Sequence, residues 1–416
     1  MKLGFTDTVN CGIGLAKAMG VTFQMVKPTR DSMAKRVLLV RGGSLGPNTG
    51  LGAAHHNLVD LLLSGKVDGW ELADVYEYPL AKTNNPISRI WQRWFAHPKR
   101  VAKQIRKLAQ QNNCDIVHIT DQEQAHLVPK NSPLPVVITV HDLFHLFPEQ
   151  LRFTDEVIEV GEVRPGAIRR RDLVKLKKGI ERATHLLCNS NHTLRAAGKH
   201  FPSVSSTVLP LGIDSQKYHP ENNQPIDLEL PEKCNLLVVG SNDPRKRMNF
   251  LCRVMSSLPD KINRGIHIHH VGNSSANSGL PEIAKMVEKY GLDNWTIHGS
   301  AVSDEYLMTL RQMCEALLFP SASEGFGYPP IESMAAGMKV ICADLPSHNE
   351  LMPIDTCTPA DDEAAWVGAI TSLFEQYNDR KQLVREPELA LIKHAKKYDN
   401  SVFCQRIGEF YSSLLE

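Results

Sequence analysis

The chain contains no apolar run longer than about five residues, far short of the ~20 that a membrane-spanning helix needs. It contains no CxxC pair, and its nine cysteines, an odd number, are scattered at positions 11, 114, 188, 234, 252, 314, 342, 357 and 404. Several sit inside apolar stretches, Cys188 in HLLC and Cys342 in VICA, as small buried hydrophobes of a reduced compartment do. Neither a disulfide framework nor a zinc site is expected. Charge bias is also missing. Lys and Arg number 47 against 46 Asp and Glu, a formal net charge of +1. That excludes a globally basic nucleic-acid binder and leaves local basic patches open. The opening MKLGFTDTVNCGIGLAKAMG has no uninterrupted apolar core, so a cleaved signal peptide is not expected. The chain reads as cytoplasmic, with scope for peripheral contact at the inner face of the membrane.

What is present is an ordinary globular composition, 42% hydrophobic and 22% charged, which excludes wholly disordered and fibrous chains. The 416 residues suffice for two or three domains at roughly 150 residues each. Residues 1–35 form an extension of unassigned role. From there a rhythm repeats. Short Val/Ile/Leu-rich runs, RVLLV, DIVHIT, PVVITV, HLLCNS and STVLP, then NLLVVG, IHIHHVG, WTIHG, ALLFP and KVICA, alternate with longer amphipathic stretches. Continuous apolar runs suit strands buried on both faces, and their alternation with helices predicts parallel α/β sheets wound by right-handed crossovers. The polar, proline-bearing segment 213–234 breaks the rhythm and reads as a linker. It separates a unit at 36–212 from one at 235–399, and a last amphipathic helix spans 400–416.

In open parallel sheets ligands bind beyond the carboxyl ends of the strands, so the loops after the strands carry the candidates. SASEGFGYPPIESMAAGMKV (321–340) reads as strand–loop–helix–strand, with Pro329 and Pro330 in the first helical turn and Gly337 at its end. A helix N-terminus there favours an anion. Glu324 and Glu332 flank the turn. Carboxylates bind phosphate poorly but accept well from vicinal hydroxyls, so the pair suggests a phosphate between two sugars, the layout of a nucleotide-sugar. Alternatively, Glu332 complements the helix dipole, worth about 0.3–1 kcal/mol, and Glu324 is a solvated loop residue.

GSNDPRKRMNF (240–250) brings Arg245, Lys246 and Arg247 to a helix start, where an anion would offset their opposition to the dipole; an exposed basic turn is the other option. RGGSLGPNTGLGAAHH (41–56) carries Gly42, Gly43, Gly46, Gly50 and Gly52, which let backbone approach a phosphate. It is not the GxGxxG of a dinucleotide site. TVHDLFHLFPE (139–149) puts His141 at a strand's carboxyl end, beside Asp142. It is either a ligand-facing or a structural histidine, and the HxxxH spacing to His145 lacks a third metal ligand.

Taken together, these loops resemble the family-4 retaining glycosyltransferases (glycosyl transferase group 1). The likeness covers roughly residues 36–375. It is carried by GPNTGLGAAHHNLVDLL, PVVITVHDLFHLFPE, ATHLLCNSNHT with VLPLGIDSQKYHP, LLVVGSNDPRKR, and most specifically by 297–351, which contains SASEGFGYPPIESMAAGMKV. The resemblance implies the GT-B fold: two doubly wound, parallel-sheet, Rossmann-like α/β domains facing an interdomain cleft, with the last helix crossing back to the first domain. It implies roles as well. Glu324 is expected at hydroxyls of the transferred sugar and Glu332 at the ribose. Lys246 and Arg245 are expected to neutralise the diphosphate, and the amides of Phe326, Gly327 and Tyr328 to meet sugar and diphosphate. Gly50 and Gly52 would form a flexible loop over the diphosphate, His141 would stand at the reacting sugar, and Ser300–Val302 would hold the base. One departure is Ser241, where many relatives carry Arg; Arg245 would substitute.

The implied activity is transfer, with retention, of a hexose from a nucleotide-diphosphate sugar to a glycan or lipid-linked acceptor in surface polysaccharide or lipopolysaccharide synthesis. Mannose from GDP-mannose is favoured, with no metal and no further cofactor. A GT-B sugar-nucleotide epimerase and a non-catalytic sugar-nucleotide binder are the alternatives. Two basic segments, ISRIWQRWFAHPKRVAKQIRKL (87–108) and AIRRRDLVKLKKGIERA (167–183), fit anionic lipid headgroups or are ordinary helices with solvated faces.

Overall fold

A computed structural model describes residues 34–46, 49–78, 85–277, 279–380 and 385–416. The extension expected at 1–35 lies outside them but for its last two residues. In the first half, β1 (Lys35–Gly43), β2 (Trp70–Tyr78), β3 (Ile116–Ile119), β4 (Val136–Val140), β7 (His185–Cys188) and β8 (Ser205–Val208) form one sheet. Its order is β2-β1-β3-β4-β7-β8, with every pair parallel. In the second half, β9 (Cys234–Val239), β10 (Ile266–Val271), β11 (Trp295–Gly299), β12 (Ala316–Phe319), β13 (Lys339–Asp344) and β14 (Thr358–Pro359) follow the order β11-β10-β9-β12-β13-β14, again parallel. An antiparallel hairpin, β5 (Glu149–Arg152) and β6 (Val157–Val160), stands apart from both.

The central strands are apolar on both faces because helices cover both: Val37 to Val40, Val136 to Ile138 and Leu236 to Val238 are all essentially buried. β2, which is not written as a continuous apolar run, is an edge strand. Its WELADVYEY alternates and stays half-buried after Trp70. The last helix, Asn400–Ser413, packs Phe403, Cys404, Ile407 and Tyr411 against Val37, Leu39 and Trp70 of the first sheet. Segment 213–234 packs Ile213, Tyr218, Leu228 and Leu230 into the core beneath the second sheet. Among the described residues no helix is long and apolar enough to cross a membrane.

Contacts between the two halves concentrate at the carboxyl ends of the strands. The hairpin reaches across: Thr154 donates from its amide and hydroxyl to Asp361 at 2.7 and 2.8 Å, and Glu156 accepts from the buried Arg247 at 2.6 Å. Glu350, in the second half, accepts from the amides of Asn191 and His192 at 2.6 and 2.8 Å. It thereby caps the helix Asn191–His200 of the first half, where a carboxylate meets both free amides and the positive end of the dipole.

Candidate active site

The loop after β12 is fixed by its own chemistry. Gly327 caps the helix Tyr328–Ala335 at φ 118°, a left-handed conformation that side chains disfavour. The helix ends in a Schellman arrangement: Gly337 (φ 64°) donates to the Met334 carbonyl and Met338 to that of Ser333, both at 2.9 Å. Between these stops, the first helical turn faces the carboxyl end of the sheet.

Glu324 is the centre of this loop. Its Oε2 accepts from Arg245 Nη1 at 2.6 Å, and its Oε1 from Lys246 Nζ at 2.5 Å and Ser321 Oγ at 2.6 Å. Burial disfavours the carboxylate, but Arg245 and Lys246 outweigh it and hold the group well below the ordinary carboxylate range. Glu324 in turn raises Arg245 above its usual value against the effect of burial. The cations do not oppose the dipole of the following helix as the sequence suggested. Pro244–Lys246 forms a separate 3₁₀ turn, and Arg247, at φ 53°, starts the helix Met248–Ser256. Arg247 is spent on Glu156 and the Ala360 carbonyl. Lys246 Nζ also lies 5.1 Å from the centre of the Phe319 ring.

Glu332 accepts from Tyr218 Oη at 3.0 Å and from the buried Arg311. The sequence assigned Tyr218 and Arg311 no role: one sits in the polar, proline-bearing linker and the other in the last turn of the helix Asp304–Met313. Phe326 and Tyr328 stack edge to face with ring centres 5.4 Å apart. Both pack with Val302 and Tyr218 in the apolar cluster under the second sheet. Ser300 follows β11 and is exposed at the surface.

On the facing half, His141 is held from all sides. Its amide donates to Gln122 Oε1 at 2.9 Å, its Nε2 to the Thr120 carbonyl at 3.0 Å, and its own carbonyl accepts from Asn189 Nδ2 at 3.0 Å. The carbonyl touches Gly325 of the Glu324 loop so closely that a Cβ there would come within 1.8 Å. Asp142, next in sequence, has a carboxyl raised by burial, an effect moderated by the neighbouring His145, Arg245 and His141. His348, which sequence reading also missed, is buried beside the same cluster, and its Nδ1 donates to the Ala343 carbonyl at 2.9 Å.

Gly50 and Gly52 are corrected in one respect. They lie in the first turn of the helix Gly50–Leu63, behind the cap Thr49, and not in a loop. A Cβ on Gly52 would stand 2.0 Å from the Gly46 carbonyl oxygen, so the preceding chain folds tightly onto it. Ala54 of this helix reaches the apolar cluster that holds Phe326 and Tyr328.

Chemically, the arrangement is a cationic pair beside a helix N-terminus, an ionised carboxylate between the cations, a second carboxylate one helical turn on, and a histidine of the opposite domain closing the far side.

Comparison with known proteins agrees with this geometry. Residues 59–217 match the family model described as Glycosyltransferase Family 4, and residues 221–388 that described as Glycosyl transferases group 1. The O-antigen chain mannosyltransferase RfbU of Salmonella typhimurium is 28% identical over 209 residues, 49% of this chain and 54% of that protein. The serotype-specific mannosyltransferase WbdA of Escherichia coli is 28% identical over 118 residues, 28% of this chain and 14% of that protein. The chain thus spans about half or less of the length of these relatives. Sucrose-phosphate synthase from Thermosynechococcus elongatus superposes with a TM-score of 0.64 at 17% identity, covering 91% of this chain and 99% of that one. Anabaena HepE in complex with UDP gives 0.62 at 16%, covering 91% and 100%. With residues 59–217 and 221–388 taken in by the two family matches, the chain belongs to the family-4, group 1 glycosyltransferases of the GT-B fold.

Proposed function

We propose that the chain transfers a hexose, mannose in the favoured case, with retention, from a nucleotide-diphosphate sugar to a glycan or lipid-linked acceptor in surface polysaccharide synthesis. The observation that carries this reading is Glu324 between Arg245 and Lys246 at 2.5–2.6 Å, beside the helix that starts at Tyr328. Mannose is favoured because curated relatives are named as mannosyltransferases.

In this mechanism the bond between the anomeric carbon and the β-phosphate oxygen breaks, and its electron pair goes to the diphosphate. Arg245, Lys246 and the amides of Phe326, Gly327 and Tyr328 stabilise that charge without a metal. Glu324, ionised, accepts from sugar hydroxyls and balances positive charge at the anomeric carbon. The acceptor oxygen attacks the face that the diphosphate leaves, and its proton passes to the departing phosphate oxygen. His141 fixes the sugar from the opposite domain. Ser300 and Val302 flank the base, and Gly50 and Gly52 bring their helix end over the diphosphate. The closed interface between the halves excludes water from the reacting bond.

A lipid-linked acceptor requires the enzyme at an anionic membrane face, and one surface suits that. Residues 86–110 contain no acidic side chain. They expose Ile87 (78%), Trp91 (57%) and Phe95 (49%), next to Ile168 (56%) of the neighbouring helix Ala167–Ile180. The two elements are tied by Arg93 and Trp94, which donate to Asp172 at 2.8–2.9 Å. Exposed Arg89, Lys99, Arg100, Arg170 and Arg171 surround the apolar side chains, a composition that matches anionic headgroups over acyl chains.

The test is product analysis with GDP-mannose and UDP-glucose, with and without acceptor glycan and in the presence of a chelator. Acceptor-dependent transfer supports the proposal; isomerisation of the donor without acceptor would replace it by the epimerase reading.

A further inference from the structure

Glu332 has two fixed partners, one on each carboxylate oxygen: Tyr218 Oη on Oε1 at 3.0 Å and Arg311 Nη2 on Oε2. A carboxylate offers about four acceptor positions, two per oxygen. One position on each oxygen is therefore taken, and one on each remains. That leaves a bidentate acceptor aimed from a held plane, the shape that a vicinal diol fills. Arg311 is only 3% exposed and cannot swing away to water, and its guanidinium lies 5.4 Å from the centre of the Tyr218 ring. Burial, and then Glu332 itself, push the Tyr218 phenol above its ordinary range, so it stays an O–H donor.

Tyr218 is itself held by the crossing of the chain between the two domains. It ends the one-turn helix Ser215–Tyr218. Just before that turn, Ile213 donates to the Tyr398 carbonyl at 2.9 Å and accepts from the Asn400 amide at 2.8 Å. The amide of Ser215 donates to Asp399 at 3.3 Å. Asn57 of the helix Gly50–Leu63 donates to the Gly212 carbonyl at 3.2 Å and to the Asn400 side chain at 2.8 Å. A tyrosine needed only to fill space would not require a hydroxyl at the one functional carboxylate it reaches.

We propose that Tyr218 is a positioning residue for nucleotide recognition: with Arg311 it orients Glu332 so that the two free acceptor positions engage the 2′- and 3′-hydroxyls of a ribonucleoside diphosphate. The inference rests on the nucleotide-sugar reading of the site and extends it to a residue to which the sequence assigned no role.

The experiment measures binding of GDP, UDP, their 2′-deoxy counterparts and inorganic pyrophosphate to the full chain and to Tyr218→Phe. The wild type prefers the ribonucleotide over its deoxy counterpart. In Tyr218→Phe that preference shrinks by about tenfold, the scale of one hydrogen bond to a charged group, while pyrophosphate and deoxynucleotide affinities hold. Equal weakening of ribo and deoxy ligands, or of pyrophosphate, would mean a merely structural tyrosine and overturn the inference. So would an undiminished ribose preference in the variant. A wild type that binds no nucleoside diphosphate overturns the function reading as well. Arg311→Lys, which keeps the charge and loses the planar fork, serves as second variant and is expected to erode the same preference.

Discussion

Gly325 lies against the carbonyl of His141 with no room for a side chain: a Cβ at position 325 would stand 1.8 Å from that oxygen. The loop that carries Glu324 and the strand end that carries His141 therefore meet backbone to backbone, across the cleft between the two sheets. Gly325→Ala must push the two halves apart. Because displacements of about 1 Å at a reacting centre cost on the order of 100-fold, we expect transfer to fall by about that factor. Binding of free nucleoside diphosphate, which the proposal assigns chiefly to residues of the second half, should change less. Unaltered transfer rates in this variant would show that the closed contact is not the reactive one.

The Glu324 cluster gives a second prediction. Glu324→Gln leaves Lys246 largely buried without its countercharge and Arg245 with only the more distant Asp243 at 3.7 Å. Breaking one partner of such a group costs about 3 kcal/mol, here reduced because Arg245 is 28% exposed. We expect a lower melting temperature, partly restored by a nucleoside diphosphate that supplies the missing anion. Transfer should drop by about 100- to 1,000-fold. A variant as stable and as active as wild type would remove Glu324 from the site.

Acid should unfold the chain through its buried imidazoles. His118 bonds Tyr411 Oη at 2.5 Å and Thr139 Oγ1 at 2.7 Å. Burial first, then His55 and His141, push it down from 6.5 to about 3. His126 and His269 are pushed down to about 3 as well, again chiefly by burial. Between pH 6.5 and 3 the unfolded chain binds protons that the folded chain refuses. Stability is therefore full above pH 6.5 and is lost as the pH falls through that value, by about 2 kcal/mol at pH 5 for His118 alone. Melting curves from pH 8 to 5 check this, and His118→Gln should flatten the profile; a melting temperature independent of pH over that range would contradict it.

Membrane contact is testable on vesicles. With phosphatidylglycerol present the chain should float with the lipid at low salt and detach as salt rises. Trp91→Ser with Phe95→Ser should lose flotation without losing transfer to a soluble acceptor. Equal flotation on neutral vesicles, or on the double variant, would exclude this surface as the docking face.

The buried strands were legible because a strand covered on both faces is written as a continuous apolar run; RVLLV at 36–40 is one such case. β2 was not, because an edge strand alternates, and the hairpin β5–β6 was not, because four-residue strands with exposed charges carry no signal. Glu324, Lys246 and Arg245 converge from loops 78 and 79 residues apart, a proximity that only the shared address of strand ends announced. Tyr218 and Glu350 went unseen for a different reason. Each acts through long-range bonds, Tyr218 to Glu332 and Glu350 to the amides that open the Asn191 helix, and such bonds leave no local pattern.

The most direct measurement is calorimetric titration of GDP and UDP into the wild type and into Arg245→Ala with Lys246→Ala, with chelator present throughout. The account predicts that one nucleoside diphosphate binds the wild type without a divalent ion and binds the double variant at least tenfold more weakly. Equal affinity in the two proteins, or binding only when a metal is restored, would contradict it.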